Sequence, residues 1–201
     1  MALNLPKTTE LSKTLPKKSI YEKFNMNTAA KEKFDADVKK LVILNEISPT
    51  TMNLTKGANV ESFFVLLVNL KTETFDEKNI VLISKLINQK MLFILEYDGK
   101  TRLAVYHNKL LQTNWKPNDE HKIKLKGLNI DTVWENIIIQ VSGVKIEADR
   151  TLDEQLEHDE IRQKLQKQID ELERKAKIEK QPKRKFEIVQ ELQNFKKYKL
   201  F

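Results

Sequence analysis

The chain has 201 residues, of which 40% are apolar and 32% charged, and it carries a formal net charge of +7. That length suits one domain of about 100–150 residues plus an appendage, with apolar content sufficient for a buried core. The absence of cysteine excludes a disulfide framework, a thiolate nucleophile and a cysteine-bound zinc, and no apolar run approaches the ~20 residues of a membrane span.

The charge is unevenly placed. Residues 1–40 hold nine bases against five acids, residues 41–150 fourteen against thirteen, and residues 151–201 thirteen against eleven, so the positive excess belongs mostly to the termini. A pI near 9.3 permits attraction to nucleic acid or to an acidic protein surface without choosing between them. The early lysines are followed by no apolar h-region, so a secretory signal is not expected and the cytoplasm is the expected compartment.

Residues 1–27 read as an extended arm crossing the domain surface, punctuated by Leu5-Pro6 and Leu15-Pro16-Lys17. A core domain is predicted over residues 28–143. Thr28 is placed to cap a helix running to about Asn45, with Phe34, Val38, Leu41 and Val42 at helical offsets, and Ser48-Pro49-Thr50 stops it. The nearly continuous apolar run from Glu61 to Lys71 predicts a central strand buried on both faces. A helix follows from Asp76 to Asn88, using Ile80, Ile83 and Ile87. The segments MLFILEY and TRLAVYH flank Asp98-Gly99, the dipeptide that supplies the positive φ angles of a type I′ turn, and predict a β-hairpin. Short strands are expected at 110–115 and 122–125. Ile130, Val133, Trp134, Ile137, Ile138 and Val141 then mark one helix face, closed by Gly143.

After a hinge at 144–150 the C-terminal arm, residues 144–201, is strongly patterned. From Thr151 to Glu173 there are eight acids and three bases, and from Arg174 to Lys185 seven bases and one acid. Leu165, Ile169, Leu172 and Ala176 form a narrow apolar seam along a long helix that wants a partner. Pro182 breaks this helix, and a second helix presents Val189, Leu192 and Phe195 on one side. These six large apolar residues, Leu165, Ile169, Leu172, Val189, Leu192 and Phe195, are the candidate partner-binding set, within the chain or across a dimer. An antiparallel contact suits the split charge better than a parallel one. The expected fold class is therefore α/β (α+β): a mostly antiparallel sheet flanked by helices, with a C-terminal long-helix hairpin or coiled-coil arm.

Recognisable chemistry is sparse. His107, His121 and His158 read as surface residues, none four residues from another, so no local metal pair exists. Four glycines cannot build the usual phosphate-cradling loops, and no cofactor is implied. Asp98 and Lys100, with Glu61 or Asp76 upstream, approach the acid-x-lysine pattern of metal-dependent nucleases, in which carboxylates hold Mg²⁺. A hairpin turn accounts for them better. The bases Lys17, Lys18, Arg174, Lys175, Lys177, Lys180, Lys183, Arg184 and Lys185 form a candidate nucleic-acid contact for DNA or RNA. The rival account is that acids early and bases late in one helix complement its dipole.

Several stretches taken in order resemble a bacterial family catalogued as domain of unknown function 4391. They are the arm at Leu15–Lys17, AAKEKFDADVKKLVILNEISPTTMNL, Val60-Glu61, LFILEYDGKTRLAVYHNK, GLNIDTVWENIIIQVSG and EKQPKRKFEIVQEL. The resemblance spans nearly the whole chain and assigns no catalytic residue. It implies a neighbourhood of helicase-like ATPases and DNA methyltransferases in restriction or anti-phage loci. The resulting expectation is a non-catalytic accessory or assembly subunit that docks partners through its C-terminal helices. Direct nucleic-acid binding and metal-dependent nuclease activity are the alternatives.

Overall fold

The computed structural model describes residue 3, residues 5–118 and residues 120–198, the side chains of 197 and 198 excepted. The chain divides into two compact units, residues 1–143 and residues 144–201. Unit 1 is built on a seven-stranded, mostly antiparallel sheet whose main path runs β1 (Glu10–Thr14), β2 (Val38–Ile47), β3 (Phe63–Leu70), β4 (Lys90–Tyr97), β5 (Lys100–His107) and β6 (Lys109–Gln112). A two-residue strand, β7 (Lys116–Pro117), pairs with β5 off this path. Among the described strands only β3 and β4 pair in parallel, and they are joined by the crossover helix α4 (Glu77–Ser84).

The buried β3 run divides by alternation between two faces. Leu66, Val68 and Leu70 join Phe93 and Leu95 of β4 in one cluster with Ile80 and Ile83 of α4, Ile20 of α1 (Lys17–Lys23) and Phe34 of α2 (Thr28–Asp37). Phe63 lies on the other face, where its ring centre is 5.0 Å from that of Trp134 in α5 (Ile130–Ser142). The sheet is thus covered on both sides, as a continuous apolar strand requires. A short helix, α3 (Pro49–Met52), follows the capping box of Ser48 and Thr51.

Three expectations fail here for physical reasons. The helix beginning at Thr28 ends at Asp37, capped by Asn27 rather than Thr28, and the chain turns into β2 at Val38. Register shifts between Val38 and Lys40 and between Ile43 and Asn45 space the buried residues of β2 at 38, 41, 45 and 47, which imitates helical periodicity. The N-terminal arm is structural: β1 pairs with β2, Ile20 is fully buried, and the Lys17 ammonium bonds the Asp35 carboxylate and, at 2.7 Å, the Val38 carbonyl. Burial opposes ionisation of Asp35, but hydrogen bonds from Lys17 and Tyr21 outweigh it and hold its carboxyl below the usual range. Residues 122–125 form no strand. Ile123 is buried, and the Gln140 side chain accepts from the Lys124 N–H and donates to its carbonyl, both at 2.9 Å, doing the work of a neighbouring strand.

Candidate functional site

Unit 2 consists mainly of α6 (Leu152–Ile178) and α7 (Pro182–Tyr198). Thr151 starts α6 with a capping box: its hydroxyl accepts from the Glu154 N–H at 3.3 Å, and Glu154 accepts from the Thr151 N–H at 2.8 Å. The Thr151 N–H and hydroxyl, both donating to it, hold the exposed Glu154 carboxyl below its ordinary value. Along the solvated face, Glu160–Lys164 at 2.6 Å and Glu171–Lys175 at 2.8 Å are i,i+4 ion pairs that support a helix poor in apolar residues. The helix ends at Glu179, whose carboxylate accepts from the Gln181 N–H at 2.8 Å, and Pro182 takes the first position of α7.

The two helices pack as an antiparallel hairpin, pinned by Glu173 to Lys196 at 2.6 Å. Lys196 lies fourteen residues into α7, whereas Glu173 lies five before the end of α6. With ~1.5 Å rise per residue this difference amounts to about 13 Å, from which side-chain reach subtracts, so α7 begins roughly one to two turns beyond the end of α6. Burial agrees: residues 182–187 are all exposed, and covering of α7 begins at Ile188.

This register sorts the predicted partner-binding residues. Leu172 and the buried Ala176 fall at the level of the half-buried Leu192 and Phe195, and Val189 lies nearer the turn. Ile169, buried, and Leu165, half-buried, lie farther from the turn than the Glu173–Lys196 bridge. What the hairpin leaves open is its turn. Arg174, Lys175, Lys177, Lys180, Lys183, Arg184 and Lys185 are all exposed, and so are Ile178 (71%) and Phe186 (67%). Lys175 is paired with Glu171, and the cluster itself contains one acid, Glu179.

Here the dipole account divides. Lys175 and Lys177 sit in the last turn of α6, where cations are favoured. Lys183, Arg184 and Lys185 sit in the opening turns of a new helix with no acid in its first turn, where cations are disfavoured. The remaining basic candidates belong to unit 1. Lys17 is committed to Asp35 and Val38, while Lys18 is exposed and pairs with Glu22 at 3.5 Å.

The nuclease-like residues do not converge. Asp98 and Gly99 have φ of 44° and 72° in the two-residue turn joining Tyr97 to Lys100, and all three of Asp98, Gly99 and Lys100 are exposed. Parallel pairing from Phe63↔Lys90 to Asn69↔Glu96 sets Glu61 and Asp98 at opposite strand ends, roughly 20 Å or more apart. Asp76 is the cap of α4, accepting from the Lys78 N–H at 2.9 Å. Among the described residues no group of three or more His, Asp or Glu side chains is arranged to hold a metal.

His121 departs from expectation, because it is buried (5% exposed) with Nε2 2.9 Å from the Thr101 carbonyl. Burial, with Lys116 nearby, lowers its pKa against the opposing effect of that hydrogen bond. A polar cleft of about 300 Å³ also lies between α4 and β4, lined by Lys85, Lys90, Met91 and Tyr106 among others, with the Lys85 ammonium 5.5 Å from the Tyr106 ring centre.

No curated protein and no solved structure matches the chain significantly. The chain belongs to the family described as a domain of unknown function (DUF4391), whose model matches residues 3–198. No helix among the described residues is long and apolar enough to cross a membrane.

Proposed function

We propose that the protein is a non-catalytic accessory or assembly subunit of a bacterial restriction or anti-phage DNA-processing complex, docking onto a helicase-like ATPase or a DNA methyltransferase. The observation that carries this reading is the C-terminal hairpin. It is a separate unit whose apolar seam is largely covered, and its turn exposes Ile178 and Phe186 among seven bases. An exposed apolar pair within a charged rim suits a macromolecular surface better than a small substrate, which needs a concave pocket. Leu172, Leu192 and Phe195 then serve docking by holding the hairpin together, and the partner protein contacts the body of its two helices.

The test is co-expression of the full chain with such an ATPase or methyltransferase from one locus, followed by size-exclusion chromatography. A stable complex that is lost when residues 144–201 are deleted, while unit 1 remains folded, is the expected result. The same preparation incubated with Mg²⁺ or Mn²⁺ and single- or double-stranded DNA or RNA should show no cleavage by the isolated chain. Cleavage abolished by Asp98→Ala would replace this reading with a nuclease. Failure of both partner classes to co-elute with the chain would remove the accessory role.

A further inference from the structure

We infer that the turn of the α6–α7 hairpin is a nucleic-acid contact, in which Lys183, Arg184 and Lys185 bind the phosphate backbone and Phe186 stacks on an unpaired base. The inference deepens the accessory reading by naming what the hairpin holds. Three observations converge on it. The patch is dense, with seven bases and one acid over twelve consecutive residues from Arg174 to Lys185. It is also uncompensated from within: Glu171 pairs with Lys175, but none of Lys180, Lys183, Arg184 and Lys185 makes an ion pair among the described residues. The hairpin compounds this by turning one charge run back on itself, so the bases ending α6 and those opening α7 crowd around the same bend.

Self-repulsion of this kind, together with cations in the opening turns of α7, works against the hairpin's own stability. Packing does not require these residues, since 182–187 are exposed and lie beyond the covered part of the seam. A polyanion relieves the repulsion, and phosphates attract clustered Lys and Arg by releasing condensed counterions. Phe186 decides between kinds of polyanion. An aromatic ring 67% exposed beside three cations offers a stacking face to a base, which neither an acidic protein tail nor an intact duplex would use in that way. Unpaired bases are therefore the favoured ligand, in DNA or in RNA.

The test uses the purified full chain and fluorescence anisotropy with fluorescein-labelled single-stranded DNA, single-stranded RNA and duplex DNA of one sequence. Binding to a single strand should weaken steeply between about 50 and 200 mM salt. Lys183→Gln/Arg184→Gln/Lys185→Gln should weaken it about 10-fold or more at the low-salt end and flatten the log–log salt slope by about 2. Phe186→Ala should weaken single-strand binding about 5-fold or more while leaving the salt slope unchanged. Helicity by circular dichroism should be retained in both variants, because the substituted residues are exposed.

No salt-dependent binding by the wild-type chain, or unchanged binding by the triple variant, would overturn the inference. Equal loss on duplex and single strand for Phe186→Ala would overturn the stacking role. A triple variant that binds nucleic acid normally but no longer assembles with the ATPase or methyltransferase would make the turn a protein-docking surface, ending this inference while the accessory reading stands. Loss of nucleic-acid binding with assembly intact supports the inference.

Discussion

Replacing Leu172, Leu192 and Phe195 together with serine should unfold the hairpin and leave unit 1 intact. All three are half-buried at the same level of the α6–α7 contact. Removing two half-covered leucines and one half-covered phenylalanine forfeits about 4 kcal/mol of apolar burial and packing. A two-helix unit of fewer than ~70 residues rarely holds more than about 3–5 kcal/mol, so this loss consumes most or all of it. The signal is large because α6 and α7 hold 27 and 17 residues, against 42 in the five shorter helices. Ellipticity at 222 nm should fall by about a fifth if α7 alone melts and by about half if α6 follows, since a long helix with i,i+4 pairs retains some helicity without a partner. Both tryptophans, Trp115 and Trp134, lie in unit 1, so their fluorescence melt should not move. Retained ellipticity would mean that the seam is not what closes the hairpin. A lower tryptophan transition would mean that the two units do not fold independently.

Three further outcomes concern unit 1. Asp131 anchors the loop before β3 by accepting from the N–H groups of Ala58 and Val60, both at 2.7 Å, and of Asn59 at 3.2 Å. Burial opposes its charge but these donors outweigh it, so its carboxyl is held below the usual range. Asp131→Asn should cost about 1–2 kcal/mol near neutral pH. That difference should vanish as the pH falls below the unfolded carboxylate value of ~3.9 and through the lower folded one. A Cβ at Gly57 would stand 2.3 Å from Asp131 Oδ1, so Gly57→Ala should destabilise the same anchor and combine non-additively with Asp131→Asn; additive denaturation midpoints would refute the shared mechanism. His121, kept neutral by burial, should make unit 1 less stable as the pH falls through the unfolded histidine value of ~6.5 toward the lower folded value, because the unfolded chain protonates first. His121→Gln should flatten that fall in the tryptophan melt, and an unchanged pH profile would refute it.

What was legible in the sequence is what local chemistry dictates. Asp98-Gly99 reads best as a tight turn, and β4 and β5 meet there with Tyr97 opposite Lys100. The face of α5 and its stop at Gly143, with φ of 71°, were written in spacing and in the need for a left-handed residue. The class of the fold, an antiparallel-dominated sheet with a C-terminal pair of helices, follows from those elements. What was not legible depends on non-local partners. The bulges of β2 disguise a strand as a helix face, since the residues that set its register lie on β3. The N-terminal arm becomes an edge strand only because β2 offers it a free edge, and its Lys17 looks like a free cation until Asp35 is placed beside it. His121 has no sequence mark of burial. Its partner is a main-chain carbonyl, which any residue could supply.

The candidate site shows the same division between composition and geometry. In sequence, the switch from acids to bases after Glu173 reads as one helix complementing its own dipole, and antiparallel pairing promises acids against bases. The break at 179–181, which Pro182 foretells, qualifies both readings. It sets Lys183, Arg184 and Lys185 at the start of a second helix, where the dipole opposes them. It also folds the basic run on itself, so intrachain antiparallel packing gathers like charges at the bend, and opposite charges meet only farther along, as at Glu173 and Lys196. Neither helix propensity nor packing asks for bases there, because the exposed start of α7 would be more stable with acids in their place. Residues that a fold does not need, and that weaken it locally, are best explained by something outside the chain that does need them. At this bend the exposed chemistry is positive charge beside an aromatic ring, which is the chemistry of a nucleic-acid strand's partner.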